Sequence, residues 1–116
     1  MRSKQNSMAK PIMTEHAEQA ALFRWAEFEA KRKPMLKLLA ACPNGAFKSM
    51  ATAMKFKREG LKPGYPDIVL NYPAGGYHGL FIEMKRSKGG RLSDEQTWWL
   101  TSLALVGYRT CVCHGF

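Results

Sequence analysis

The chain is short of cysteine, short of acid, and without a long apolar run. Its three cysteines, Cys42, Cys111 and Cys113, are an odd number and set no disulfide framework. Cys111-Val112-Cys113-His114 is a C-x-C pair in an apparent strand with no second ligand cluster at zinc-finger spacing, so the thiols are expected in the core. No apolar stretch approaches the length of a membrane span, and the N-terminus lacks the apolar core of a signal peptide. A soluble, intracellular, cytoplasmic protein is expected. No repeat or low-complexity segment appears. Acid is scarce: 9 Asp and Glu stand against 18 Lys and Arg, a net charge of +9. Such an excess points to a polyanionic partner, nucleic acid before membrane, because no stretch reads as a strongly amphipathic membrane helix. At 116 residues the chain is one domain with room for its own core.

What is present concentrates between Gly64 and Lys85, GYPDIVLNYPAGGYHGLFIEMK. This stretch reads as two strands, Asp67 to Tyr72 and Gly79 to Lys85, joined by a turn at Pro73-Ala74-Gly75-Gly76. Alternation along the second strand sets Glu83 and Lys85 on one face and Ile82 and Met84 on the other. Paired as a hairpin, the strands bring Asp67 beside Glu83. From the residues alone this pattern has two readings. One is a surface Glu83–Lys85 ion pair on an edge strand, with Asp67 capping a turn. The other is a reactive cluster: two close carboxylates need a proton or a cation between them, and a hard divalent ion such as Mg²⁺ suits carboxylate oxygens, main-chain carbonyls and water. Such an ion polarises a phosphate and acidifies a bound water, while Lys85 orients that water or neutralises developing charge.

Around this stretch the chain is organised simply. Residues 1–13 form a basic leader, and 14–116 the domain. Thr14 caps a helix running to about Lys31, with Leu22, Phe23, Trp25, Ala26 and Phe28 on a broad apolar side and Glu15 and Glu18 in the first turn. Met35 to Cys42 reads as a strand, with a helical turn as the alternative, and Pro43-Asn44-Gly45 closes it. A basic helix from Ser49 to about Glu59 offers Met50, Ala51, Met54 and Phe56 for packing and ends at Gly60. Beyond Lys85 comes a basic, glycine-containing loop, Arg86-Ser87-Lys88-Gly89-Gly90-Arg91, suited to approaching phosphates. Ser93 and Gln96 form a capping box for a helix through Trp98, Trp99, Leu100 and Leu103 to Gly107. At least one of the two tryptophans is expected to pack in the core. Tyr108 to Cys113 alternates as a last strand.

Taken in order, Glu15, Gln19, Pro43-Asn44-Gly45, Gly64-Tyr65-Pro66-Asp67, Glu83-Met84-Lys85 and Gln96 resemble the VRR-NUC family of the PD-(D/E)xK nuclease superfamily, in its stand-alone, phage-type form. The resemblance spans about Thr14 to His114, and the set of G-x-P-D, E-x-K, L-S-x-x-Q and a W-L helix is specific where a lone PD or ExK is not. It implies an α/β fold with a small mixed sheet flanked by helices in the order αβ(α)ββαβ. It also implies Mg²⁺-dependent hydrolysis of phosphodiester bonds, with Mn²⁺ as a substitute, in a phage or bacterial host cell. Carried over by position, Asp67 and Glu83 would ligate the metal with the Met84 carbonyl. Lys85 would position or activate water, and Gln96 would support Lys85 or the metal's waters. Glu15 would complete the acidic site, with Glu18 as second choice. Small stand-alone members resemble Holliday-junction resolvases that act as homodimers on branched DNA. Lys48, Lys55, Lys57, Arg58, Arg86, Lys88 and Arg91 would then form the DNA-binding surface. Two other functions compete: a sequence-specific restriction-type nuclease, against which the lack of a recognition insertion counts, and a basic nucleic-acid-binding module without catalysis. The latter gains nothing from acids aimed at a phosphate.

Overall fold

The structure, a computed structural model, describes residues 14–43 and 49–115. The basic leader, Asn44, Gly45 and Lys48 lie outside the described residues. Helix α1 spans Glu15–Glu29 and a 3₁₀ helix Pro34–Leu38, followed by β1 at Leu39–Ala41. Helix α2 covers Met50–Arg58, β2 Ile68–Leu70 and β3 Leu80–Lys85. Helix α3 is Asp94–Leu105 and β4 is Arg109–His114. The expected order of elements is therefore the observed one.

All three helices begin where a hydroxyl can satisfy a free first-turn N–H. Thr14 accepts from Ala17 N, Ser49 from Thr52 N and Ser93 from Gln96 N. The sheet order is β1-β2-β3-β4, antiparallel for the first two pairings and parallel for β3 with β4. A parallel neighbour cannot be reached by a tight turn, and α3 supplies the crossover. The β2–β3 connection closes instead at Ala74 and Tyr77, which exchange both main-chain hydrogen bonds across Gly75 and Gly76. Both glycines take positive φ, 60° and 86°, as a two-residue hairpin turn requires.

Strand β3 is central, and both of its faces are covered. Ile82 and Met84 pack with Ile68, and Leu22 and Phe23 of α1 and Cys111 and Cys113 of β4 close over them. The two thiols thus serve as core, as expected. On the other face Phe81 meets Tyr65 and Tyr108 edge-on, and Tyr65 in turn meets Trp99. Trp99 is the tryptophan that packs, while Trp98 stays 61% exposed.

Three expectations are corrected. The strand proposed from Met35 begins only at Leu39, because Pro34 opens a 3₁₀ turn ahead of it. Trp25 and Phe28 face outward, since the burial stripe of α1 runs through Glu18, Ala26 and, just beyond the helix, Ala30; Lys31 lies over the Phe28 ring at 5.3 Å. Met50, Met54 and Phe56 are exposed, so among the described residues they do not form the packed face expected of α2, whose start is fixed by the Ser49 cap. Among the described residues no helix is long and apolar enough to cross a membrane.

One close approach fixes how the loop before β2 meets α3. Gly64 has φ 82°, and a Cβ there would stand 2.6 Å from the Glu95 carbonyl carbon and 2.7 Å from Gln96 N. A Gly64→Ala variant therefore faces both a left-handed backbone and a main-chain clash, with an expected loss of about 2 kcal/mol in urea unfolding. Stability equal to wild type would mean that the loop and α3 are not locked at this point.

Candidate active site

Continuing the β2–β3 register by one residue sets Asp67 opposite Glu83, at the end of the sheet where β2 begins. By the same step Met84 stands opposite Pro66, a fully buried residue. Main-chain N–H and C=O groups of one strand residue point to the same side, and Met84 is turned toward β2. Pro66 has no N–H to give, so the ladder offers no donor to the Met84 carbonyl. The Met84 N–H is taken instead by Asp67 Oδ2 at 2.7 Å. Asp67 is held from its other side as well, its carbonyl accepting from Cys42 N at 2.7 Å. A proline at this position therefore ends the ladder and leaves a main-chain oxygen and a carboxylate side by side.

Glu83 is only 1% exposed and Lys85 7%. The surface ion pair that E-x-K alone allows is thus excluded: the strand is central and the pair is buried. Lys85 Nζ lies 3.9 Å from Glu83 Oε2, a loose contact. Gln96 fills both of its expected positions. Its amide oxygen accepts from Ser93 N at 2.8 Å in the capping box, and its amide nitrogen donates to Glu83 Oε2 at 3.1 Å. The cap fixes which way the amide faces, and so presents its donor to the carboxylate. Glu83 Oε1 is fully buried and, the neighbouring Asp67 carboxyl aside, has no hydrogen-bond partner among the described residues.

This environment disfavours a charged Glu83. Burial is the largest cause, and the Asp67 carboxyl adds to it by hydrogen bonding and by repulsion. Lys85 works in the opposite direction, Glu15 with the others, and the outcome is a pKa raised from 4.5 to about 8. Two carboxyls can share a hydrogen bond only while one keeps a proton; a bound cation is the other way to hold them together.

The first-helix acids divide. Glu15 is exposed and lines a cavity of about 350 Å³ with Lys85, Arg86, Gly90 and Arg91. Glu18 is 6% exposed, and its Oε2 would lie 2.8 Å from a Cβ at Gly115, at the end of the β3–β4 pair. Both lie toward the site end of the sheet, Glu15 beside Lys85 and Glu18 beside Gly115. Arg86, Lys88 and Arg91 follow β3 directly and are exposed, as are Lys55, Lys57 and Arg58 on α2. One neighbour went unremarked in the sequence: the parallel register pairs His114 with Lys85, which sets the exposed imidazole on the site face. The alternation of the last strand carried that signal, but only knowledge of its partner strand reveals it.

The model of the VRR-NUC domain matches residues 3–116. The chain belongs to the VRR-NUC family. A solved structure described as a VRR_NUC domain protein is similar at 31% sequence identity with a TM-score of 0.73, over 90% of this chain and 80% of that one. A comparison with curated proteins gives no match. The VRR-NUC assignment makes this a nuclease-type domain, and a nuclease-type domain implies binding of nucleic acid.

The donor set of this VRR-NUC site fits a hard divalent ion. Among the described residues no three His, Cys, Asp or Glu side chains gather for a metal. The available set is instead two carboxyls, one of them with an unpartnered buried oxygen, and a main-chain carbonyl without a ladder donor. Mg²⁺ is commonly held by one or two carboxylates, with water and substrate oxygens completing its shell.

Without metal, the raised pKa of Glu83 has a stability consequence. The fold keeps this proton up to about pH 8, whereas the unfolded chain releases it near 4.5. Its contribution is therefore full below about 4.5 and lost as pH rises to about 8. Urea-unfolding free energy in EDTA is expected to fall across that window, and Glu83→Gln to flatten the fall. An equally steep profile in Glu83→Gln would assign the slope to other groups.

Proposed function

We propose that the protein is a divalent-metal-dependent DNA endonuclease that hydrolyses phosphodiester bonds and selects branched DNA. The single observation that carries this reading is the facing pair of a half-buried Asp67 and a buried Glu83, at the sheet end beside Lys85 and lacking sufficient positive charge. Asp67, Glu83 and the Met84 carbonyl would hold Mg²⁺, or Mn²⁺, which has the same liking for oxygen. Bound there, the ion would polarise the phosphate and acidify a water.

The chain's own groups do the rest. Lys85, on the same face as Glu83, orients the attacking water and offsets charge on the phosphate. Gln96 keeps Glu83 in one orientation through its donated hydrogen bond. Glu15 adds a further acid beside Lys85, with Glu18 beside Gly115. Arg86, Lys88 and Arg91 receive flanking phosphates beside the cut, and Lys55, Lys57 and Arg58 give a second basic segment. Preference for branched DNA rests on the resemblance to small Holliday-junction-resolvase-like members of the family, and a homodimer would supply two sites for two strands. The exposed Leu105 and Val106 offer apolar surface for such an assembly.

The test is cleavage of a labelled four-way junction and of linear duplex with Mg²⁺, Mn²⁺ or EDTA. Junction cutting that needs metal and falls at least about 100-fold in Asp67→Ala and in Lys85→Ala is the expected result. Junction binding without cutting under any metal would leave a basic DNA-binding module. In binding assays, Arg86→Ala and Arg91→Ala are each expected to lower the slope of log affinity against log salt by about one. An unchanged slope would remove these two side chains from the phosphate-binding surface.

A further inference from the structure

The chemistry above leaves a second feature at the same sheet end unused. An apolar cavity of about 370 Å³ opens between the end of β1, the loop before β2 and α3, with Ala41, Cys42, Leu61, Lys62, Tyr65 and Trp99 in its lining. Its size falls within the range of small-ligand sites, about 300–1,000 Å³. The Tyr65 and Trp99 rings meet edge-on at 4.9 Å, and so frame the cavity with rigid aromatic surface. The Trp99 indole N–H is already engaged by the Pro63 carbonyl at 3.1 Å. These walls offer π-surface rather than a code of donors and acceptors, which suits stacking of any base.

Position and charge identify the occupant. Cys42, in the lining, donates its N–H to the Asp67 carbonyl, and Tyr65 lies two residues before Asp67. A group in the cavity is therefore next to the carboxyl pair. Lys62 is the charged residue of the lining, and the basic end of α2 at Lys55, Lys57 and Arg58 runs into it through Gly60. An apolar slot bordered by cations fits the base of a nucleotide whose phosphate stays outside. Trp98, exposed and 5.1 Å from Trp99 ring to ring, extends the aromatic surface beyond the mouth.

We propose that this cavity takes up an unpaired nucleobase adjacent to the phosphodiester held at Asp67 and Glu83. The inference rests on the nuclease reading and deepens it: the substrate carries an unstacked nucleotide beside the cut, as at a branch point or bulge, and its base is read by shape rather than by identity.

The test separates the two. Affinity is measured in EDTA for a duplex with one bulged 2-aminopurine and for the fully paired duplex, with 2-aminopurine emission reporting stacking. Wild type is expected to bind the bulged probe about tenfold more tightly and to quench its emission. Ala41→Phe, at an exposed strand position, fills the cavity and is expected to equalise the two affinities without weakening paired-duplex binding. Trp99→Leu, checked for folding by circular dichroism, is expected to relieve the quenching. Equal affinities in wild type, or a preference that survives Ala41→Phe, would overturn the proposal. So would a change of sedimentation state in Ala41→Phe with the preference intact, which would make the cavity a contact between copies of the chain. Cleavage of the same bulged probe by wild type with Mg²⁺ is scored in parallel. Cutting with the preference unmoved by Ala41→Phe overturns the cavity alone; a preference abolished by Ala41→Phe without cutting under any metal upholds the cavity and overturns the nuclease.

Discussion

Two carboxyls facing each other at the end of a buried strand pair are the constraint to which the rest of this molecule answers. Asp67 and Glu83 are brought together by hairpin register, and Glu83 has almost no access to water. Solvent reaches the pair only from the half-buried Asp67 side and screens their repulsion poorly, and the Lys85 ammonium at 3.9 Å offsets it only in part. A sheet built for stability alone would place apolar residues there, since a buried charge that is incompletely paired costs more than packing does. The remedy is local: Asp67 is satisfied by main-chain N–H of Met84, and Glu83 by the Gln96 amide. One oxygen, Glu83 Oε1, is left over. This combination of partial satisfaction and a residual oxygen is what a transient ligand requires, because full internal pairing would leave nothing for it to bind.

The supports around the carboxyls are each set by residues that have little choice. Pro66 ends the ladder because it lacks an N–H, and by doing so turns an ordinary strand carbonyl into an available oxygen. Gly64 lets the loop press against the start of α3, where a side chain would strike Glu95 and Gln96. That contact fixes the first turn of α3 and, with it, the amide that steadies Glu83. Position therefore passes from loop to helix cap through a main-chain contact, and from the cap to the carboxylate through the Gln96 amide. The same loop carries Tyr65 into the aromatic set with Phe81 and Trp99.

Much of this was legible in the amino-acid sequence, for identifiable reasons. Helix starts were readable because Thr14, Ser49 and Ser93 are side chains that cap, and their effect is local. The pairing of Asp67 with Glu83 was readable because a two-glycine turn leaves a hairpin few registers, and alternation then assigns faces. What could not be read depends on partners remote in the chain. A three-residue shift along α1 separates Glu15 from Glu18, and only the packing of that helix against β3 and β4 decides which one is buried. Trp25 and Phe28 look like core by composition but fall outside the stripe that meets the sheet. Met50 and Met54 have the spacing of a packed face, yet helical periodicity states only that residues share a side, not that something covers it. The His114–Lys85 pairing needs the parallel crossover to be known first.

The two features at the site end of the sheet also divide the work of recognising a nucleotide along lines set by dielectric. The carboxyl pair is polar and only partly offset by Lys85, and the basic loop after β3 follows it in the chain, so it suits the phosphate with its metal. The neighbouring cavity is apolar, its single indole donor already engaged, so it suits a group that leaves water gladly and needs no hydrogen bonds there. A base-paired nucleotide presents its phosphate outward but keeps its base stacked within the helix, and can satisfy only the first. An unpaired nucleotide can satisfy both at once, and only where base and phosphate belong to adjacent positions of one strand. Selectivity for irregular DNA would then need no recognition insertion and no base-specific contact: it would follow from placing an apolar slot beside an acidic one, at a separation set by Cys42, Tyr65 and Asp67.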